Sequence, residues 1–248
     1  MNTVRNIKHK GKKNKISKDA KAVFIVGTDT AVGKTLITGL LAKFIASRGK
    51  RVITQKWIQT GNKGFSADIA SHLKFMNKKR KDINKYLNYV SPYIFEFPAS
   101  AHLASSIEKK NIRPDKIKNS FKILAKDFDF VIAEGIGGTL VPFNRRRLVI
   151  DIVKELNLAV LIVAGNKLGA INHTLLTIEA LKKRGLKILG IIFNVFLPRT
   201  NKFILKDNLK IVRELSRARV LGSLPWSRDK NFLYQKFVPI GKKILSLM

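Results

Sequence analysis

Lys34 and Thr35 come directly after Gly27-Thr28-Asp29-Thr30-Ala31-Val32-Gly33, and these residue types in this order suit the holding of a polyphosphate. Glycine lets the backbone wrap around phosphate oxygens, lysine neutralises their charge, and a threonine hydroxyl can ligate Mg²⁺. The loop is stretched by one residue relative to the common G-x-x-x-x-G-K-[ST] pattern. Lys56, Asp68 and Glu134 are the other charged residues whose positions could bear on a phosphate. Glu134 closes the apolar run Phe130-Val131-Ile132-Ala133, and a carboxylate at the end of a buried strand can reach a Mg²⁺ held by a neighbouring loop.

These residues need an element on either side to place them. Ala22-Val23-Phe24-Ile25-Val26 reads as a buried strand, and Leu36, Leu40, Leu41, Phe44 and Ile45 recur at helical spacing to about Ser47. Gly33-Lys34-Thr35 therefore opens a helix, whose free N–H groups and positive dipole end favour an anion. The strand Arg51 to Gln55 then delivers Lys56-Trp57-Ile58-Gln59-Thr60-Gly61, which completes a βαβ unit. Ligands of open α/β sheets sit beyond the carboxyl ends of the strands, so Lys56 and Thr60 are expected in the same crevice as Lys34.

Further along, Ser66 is a fitting N-cap for a helix beginning at Ala67, with Asp68 in its first turn. Lys74 to Tyr86 is charged and without pattern, Val90 to Pro98 is proline-punctuated and extended, and Pro114 to Ala125 has helical periodicity. Leu158 to Ala164 and Ile188 to Phe193 read as buried strands. Between them Gly165 to His173 turns into a helix that ends near Gly185, so the amides of Gly169, Ala170, Ile171 and Asn172 form a second anion seat. Asn194 closes its strand with an amide able to read a base edge, and Leu224-Pro225-Trp226 precedes a last helix over Phe232 to Leu247.

Composition sets the outer bounds. A chain of 248 residues fits one α/β domain, with residues 21–248 as that domain and residues 1–20 as a basic, disordered arm. Apolar runs fall far short of the ~20 residues of a membrane span. The absence of cysteine excludes disulfides and thiolate chemistry and is compatible with a cytoplasmic location. Lys and Arg number 49 against 16 Asp and Glu, a net charge of +33. Such an excess favours non-specific association with polyanions. The basic residues are nevertheless scattered, mostly lysine, and form no nucleic-acid motif.

With these motifs in one order, the chain from about residue 22 resembles the dethiobiotin synthetases. The most specific piece is the stretched loop Gly-Thr-Asp-Thr-x-Val-Gly-Lys-Thr. The resemblance implies an α/β P-loop NTPase fold, a mostly parallel sheet flanked by helices on both faces. It also implies a reaction: 7,8-diaminopelargonic acid takes up CO₂ as a carbamate, ATP phosphorylates it, and the second amine displaces phosphate to close a cyclic urea. By resemblance, Gly27 to Thr35 hold the ATP phosphates, and Thr35, Asp68 and Glu134 ligate Mg²⁺. Lys34, Lys56 and Thr30 serve the transfer, and Thr30 and Thr60 also hold the reacting end of the diamine. Asn194 and Pro225 meet the adenine. Gly169 to Asn172 receive the substrate carboxylate from a partner subunit, which implies a homodimer.

Two positions depart from that pattern. Ala31 stands where the family usually carries glutamate, and Trp57 stands where proline usually follows the lysine. A degenerate relative that binds nucleotide without turnover is one alternative reading. Another is a DNA-associated partitioning ATPase, but such proteins carry an additional lysine early in the loop, where this chain has Thr28-Asp29-Thr30.

Overall fold

The computed structural model describes residues 20–248, so the basic arm expected over residues 1–20 lies, apart from Ala20, outside the described residues. The elements run in order as β1 (Lys21–Gly27), α1 (Lys34–Ala46), β2 (Val52–Lys56), β3 (Ile58–Gln59), α2 (Ala67–Phe75), α3 (Leu87–Val90), β4 (Tyr93–Ile94), α4 (Ala101–Ile107) and α5 (Pro114–Asp127). They continue as β5 (Phe130–Glu134), α6 (Val149–Glu155), β6 (Ala159–Gly165), α7 (Ala170–Lys183), β7 (Ile188–Asn194), α8 (Lys202–Ser216), β8 (Val220–Leu224) and α9 (Lys230–Ser246).

Six strands form one sheet in the order β2-β5-β1-β6-β7-β8, every adjacent pair parallel. Near-continuous apolar runs are what such strands require, because both faces are covered. Along β1, Val23 and Ile25 belong to one core cluster and Phe24 and Val26 to the other. The first cluster packs under α1 and α9 through Leu40, Phe44, Phe237 and Ile240. The second packs under α5, α6 and α7 through Phe121, Ile152 and Ile178. Parallel pairing also decides the site, since the register sets Lys56, the last residue of β2, beside Glu134, the last residue of β5.

The fold agrees with the sequence in the placing of its long strands and large helices and departs in two connections and in the bounds of one strand. Lys74 to Tyr86, patternless in sequence, holds the last turn of α2 and a 3₁₀ segment over Arg80–Tyr86. Only Ile83 of that segment is buried, so it has no amphipathic stripe to read. Tyr93-Ile94 pairs in parallel with Ile58-Gln59 as a separate two-stranded ribbon. Strand β2 covers Val52–Lys56 where Arg51 to Gln55 was expected, a shift of one residue, so Lys56 belongs to the strand itself.

Helix α1 lies hard against α2 at Gly39, where a Cβ would stand 2.4 Å from Cδ2 of Phe75. A larger residue would gain a few tenths of a kcal/mol of helix propensity over glycine. Overpacking a tight contact costs about 1–3 kcal/mol and dominates. Gly39→Val is therefore expected to lower the unfolding free energy by about that amount in urea denaturation; an unchanged midpoint would show that the two helices have room to part.

Candidate active site

The loop between β1 and α1 is shaped by its own backbone and by β7. Gly33 caps α1 at φ 102°, a conformation that glycine adopts without strain. A Cβ there would lie 2.2 Å from Nδ2 of Asn194. That same Nδ2 donates to the carbonyl of Val32 at 2.9 Å. Asn194 is buried, so its amide pins the loop onto the end of β7. Lys34 curls back over the loop, and its Nζ donates to the carbonyl of Asp29 at 2.9 Å. The first turn of α1 has no acidic residue, which leaves its dipole end free for an anion. Ala31 sits at φ 57°, a left-handed conformation that non-glycine residues adopt at a cost and that recurs in functional loops.

Beside the loop lies a buried ionic cluster. Lys56 Nζ is 2.8 Å from Oε1 of Glu134 and 2.7 Å from Oδ2 of Asp68, and it donates to the carbonyl of Gly135 at 2.9 Å. Thr35 Oγ1 donates to the same Oε1 of Glu134 at 3.0 Å. His72 Nε2 meets the other carboxylate oxygen, Oε2, at 2.9 Å. Burial alone would raise the pKa of Glu134, but the Lys56 charge and the His72 hydrogen bond outweigh it and hold the carboxyl well below the usual range. Burial likewise works against the Lys56 ammonium, and the attraction of Glu134 and Asp68 wins, leaving its pKa raised. Lys34 has no comparable compensation. Burial and then repulsion from Lys56 bring it from 10.5 down to about 8, and an arriving anion would raise it again.

These groups open on a cavity of about 390 Å³ lined by Thr30, Ala31, Gly33, Lys34, Thr35, Lys56, Ile58, Gln59, Thr60, Asp68, Glu134, Ile136 and Gly137. The expected phosphate-loop, cation and diamine residues are thus brought together, with Gly27, Thr28, Asp29 and Val32 forming the loop behind them. Asn194 and Pro225 lie outside the cavity lining. They share the end of the sheet, because Asn194 is paired with Leu224. Gly169, at φ 84°, caps α7 as expected, but Gly169, Ala170, Ile171 and Asn172 do not line this cavity within the one chain. A larger cavity of about 670 Å³, between α4 and residues 142–148, shares no lining residue with the ionic cluster.

The donor set fits a small hard cation. Among the described residues no group of three or more His, Cys, Asp or Glu forms an all-protein cage. Mg²⁺ needs none, because it is usually held by one or two carboxylates together with substrate phosphates and water. Thr35, Asp68 and Glu134 supply oxygen donors of that kind. Trp57, the second departure from the family pattern, is buried, donates from Nε1 to Oε1 of Gln55 at 2.8 Å and packs on Phe24. It fills core space and does not line the cavity. Sequence reasoning did not single out His72 or Gln59. Gln59 Oε1 accepts from Ser66 Oγ at 2.7 Å, which ties the N-terminus of α2 to the cavity wall. The available signal for His72 was its place four residues after Asp68 on one helix face.

The stretched loop, the parallel sheet and the carboxylate at the end of β5 define a P-loop nucleotide-binding protein, and a family model described as an AAA domain matches residues 21–231. Within that class the chain belongs to the dethiobiotin synthetase family. It is 36% identical over 194 residues to the ATP-dependent dethiobiotin synthetase BioD 2 of Pasteurella multocida (strain Pm70), covering 78% of this chain and 90% of the relative. It is 39% identical over 207 residues to the ATP-dependent dethiobiotin synthetase BioD of Chlorobaculum tepidum, covering 83% of this chain and 85% of the relative.

Solved structures resemble it more distantly. A plasmid partition protein from Borrelia burgdorferi superposes with a TM-score of 0.63 at 15% identity, covering 93% of this chain and 100% of the other. The cell division ATPase MinD of Pyrococcus furiosus gives 0.57 at 17% identity, covering 92% and 100%. At such identity these neighbours share the fold alone.

Removing one member of a buried ion pair strands the other, at a cost of about 3–5 kcal/mol. Lys56→Met is accordingly expected to lower the stability of the ligand-free protein by about 3 kcal/mol. Adding Glu134→Gln to that variant should recover more than half of the loss in chemical denaturation. Equal stability of wild type and Lys56→Met would contradict the ionic cluster described here.

Proposed function

We propose that this protein is the Mg²⁺- and ATP-dependent ligase that converts 7,8-diaminopelargonic acid and CO₂ into dethiobiotin, with residues 21–248 acting as one catalytic unit. The observation that carries the reading is the Lys56 ammonium, held at the cavity by Glu134 and Asp68 next to the phosphate loop. Lys34 and the loop amides hold the phosphates of ATP, and Thr35, Asp68 and Glu134 hold Mg²⁺, which neutralises charge on the transferring phosphoryl group when bound. An amine of the substrate adds to CO₂ as a carbamate. A carbamate oxygen attacks the γ-phosphorus as the bond to ADP breaks, and the second amine then attacks the carbonyl carbon and expels phosphate.

Phosphoryl transfer depends mainly on positioning and on charge stabilisation. Lys56 supplies that charge where carbamate and phosphoryl oxygens meet. Thr30 and Thr60 hold the reacting amines, and with Ala31 in place of an acid the diamine is oriented by hydroxyl groups and the remaining carboxylates. Asn194 and the Pro225 segment receive the adenine, which accords with their shared place at the end of β7 and β8.

A homodimer accounts for the α7 residues. Gly169 to Asn172 open α7 outside the lining of their own cavity, and Leu168, just before that helix, and Leu176, within it, are exposed apolar residues, at 80% and 56%. We read this face as contacting a second copy, whose α7 N-terminus accepts the substrate carboxylate. The surplus of positive charge supports salt-sensitive association with polyanions in addition. Among the described residues no helix is long and apolar enough to cross a membrane.

The deciding experiment follows ADP and dethiobiotin together, with Mg²⁺, ATP and bicarbonate present and the diamine added or withheld. ADP release that depends on the diamine and is matched one to one by dethiobiotin is the expected outcome. Nucleotide binding with no response to the diamine would leave the degenerate-relative reading in its place.

A further inference from the structure

His72 is wholly buried and is used by none of the steps above. It stands one helical turn after Asp68 on α2, so the two side chains share a face. Asp68 meets Lys56, while His72 places Nε2 2.9 Å from Oε2 of Glu134. The two oxygens of Glu134 are thereby divided. Oε1 faces Lys56 and Thr35 at the cavity, and Oε2 is taken by His72.

An ionised carboxylate only accepts hydrogen bonds, so Nε2 of His72 carries the proton. Nδ1 has no hydrogen-bond partner although it is buried. A buried, unsatisfied ring nitrogen opposes folding, and a leucine at this position would avoid it. What the histidine contributes is therefore its contact with Glu134. Phe75, three residues further along α2, packs that helix against α1 at Gly39.

We propose that His72 is a positioning residue that holds Glu134 by Oε2, so that Oε1 alone is presented to a Mg²⁺ at the cavity. The inference rests on the reading of Glu134 as a cation ligand. Mg²⁺ tolerates little departure from octahedral geometry. Partners behind a metal ligand commonly alter metal affinity by about 10–100-fold when removed.

The test measures ATP binding by calorimetry in Mg²⁺ and again in EDTA, for wild type, His72→Leu, His72→Gln and Glu134→Gln. The ratio of the two affinities is the gain due to Mg²⁺. His72→Leu is expected to cut that gain by about 10-fold or more while leaving affinity in EDTA unchanged, and His72→Gln, whose amide can donate to Oε2, should restore most of it. A full Mg²⁺ gain in His72→Leu, or equal losses with and without Mg²⁺, would overturn the inference and leave His72 a packing residue. If His72→Leu does not fold, His72→Gln decides: a gain at the wild-type level supports the donor contact, and a lost gain overturns it. A full gain in Glu134→Gln would instead show that Glu134 is not the ligand, and the role of His72 would fall with that reading.

Discussion

A lysine ammonium and a glutamate carboxylate, 2.8 Å apart and almost wholly shielded from water, set the terms for the rest of this molecule. Two such charges are costly to bury, and the cost is offset only when both are fully engaged. Here Lys56 has Glu134, Asp68 and the Gly135 carbonyl, and Glu134 has Lys56, Thr35 and His72. The pairing is a matter of register. Strands β2 and β5 run parallel and end together, so one lysine and one glutamate become neighbours at the edge where ligands of such sheets bind.

The neighbouring elements then read as supports for that edge. Strand β1 lies on the other side of β5 and carries the phosphate loop, so Thr35 reaches Glu134 from the first turn of α1. Asn194, from beyond β6, pins the loop through Val32 and leaves no room for a side chain at residue 33. Helix α2, capped by Ser66, brings Asp68 and His72 down on the same pair of charges. Two strand ends, one loop and one helix face thus converge on a cavity with two lysines and two carboxylates, an arrangement in which phosphoryl charge can be met without an all-protein metal cage.

Much of this was legible in the sequence because apolar period and loop chemistry are local properties. The buried strands, the helix after Gly33, the N-cap at Ser66 and the carboxylate at the end of β5 all announce themselves over a few residues. Strand order and register are long-range, so the contact of Lys56 with Glu134 could be expected as proximity but not as an ion pair. His72 escaped because its spacing from Asp68 gives only a shared helix face, and burial against Glu134 is a long-range property. The β3–β4 ribbon escaped because a pair of two-residue strands carries no periodicity. Trp57 is informative in the opposite sense: a departure from the family pattern in sequence, it proves to be a core residue packed at a tilt against Phe24.

The proposed reaction sends the phosphoryl group to a carbamate in place of water, and an isotope measurement reads that choice directly. With ¹⁸O-labelled CO₂ and bicarbonate, unlabelled water and turnover fast enough to outrun exchange, the phosphate released with dethiobiotin should carry one labelled oxygen, passed from the carbamate when the amine breaks the C–O bond. Phosphate free of label, formed at the same rate, would mean that water attacks ATP in this site and would contradict the account.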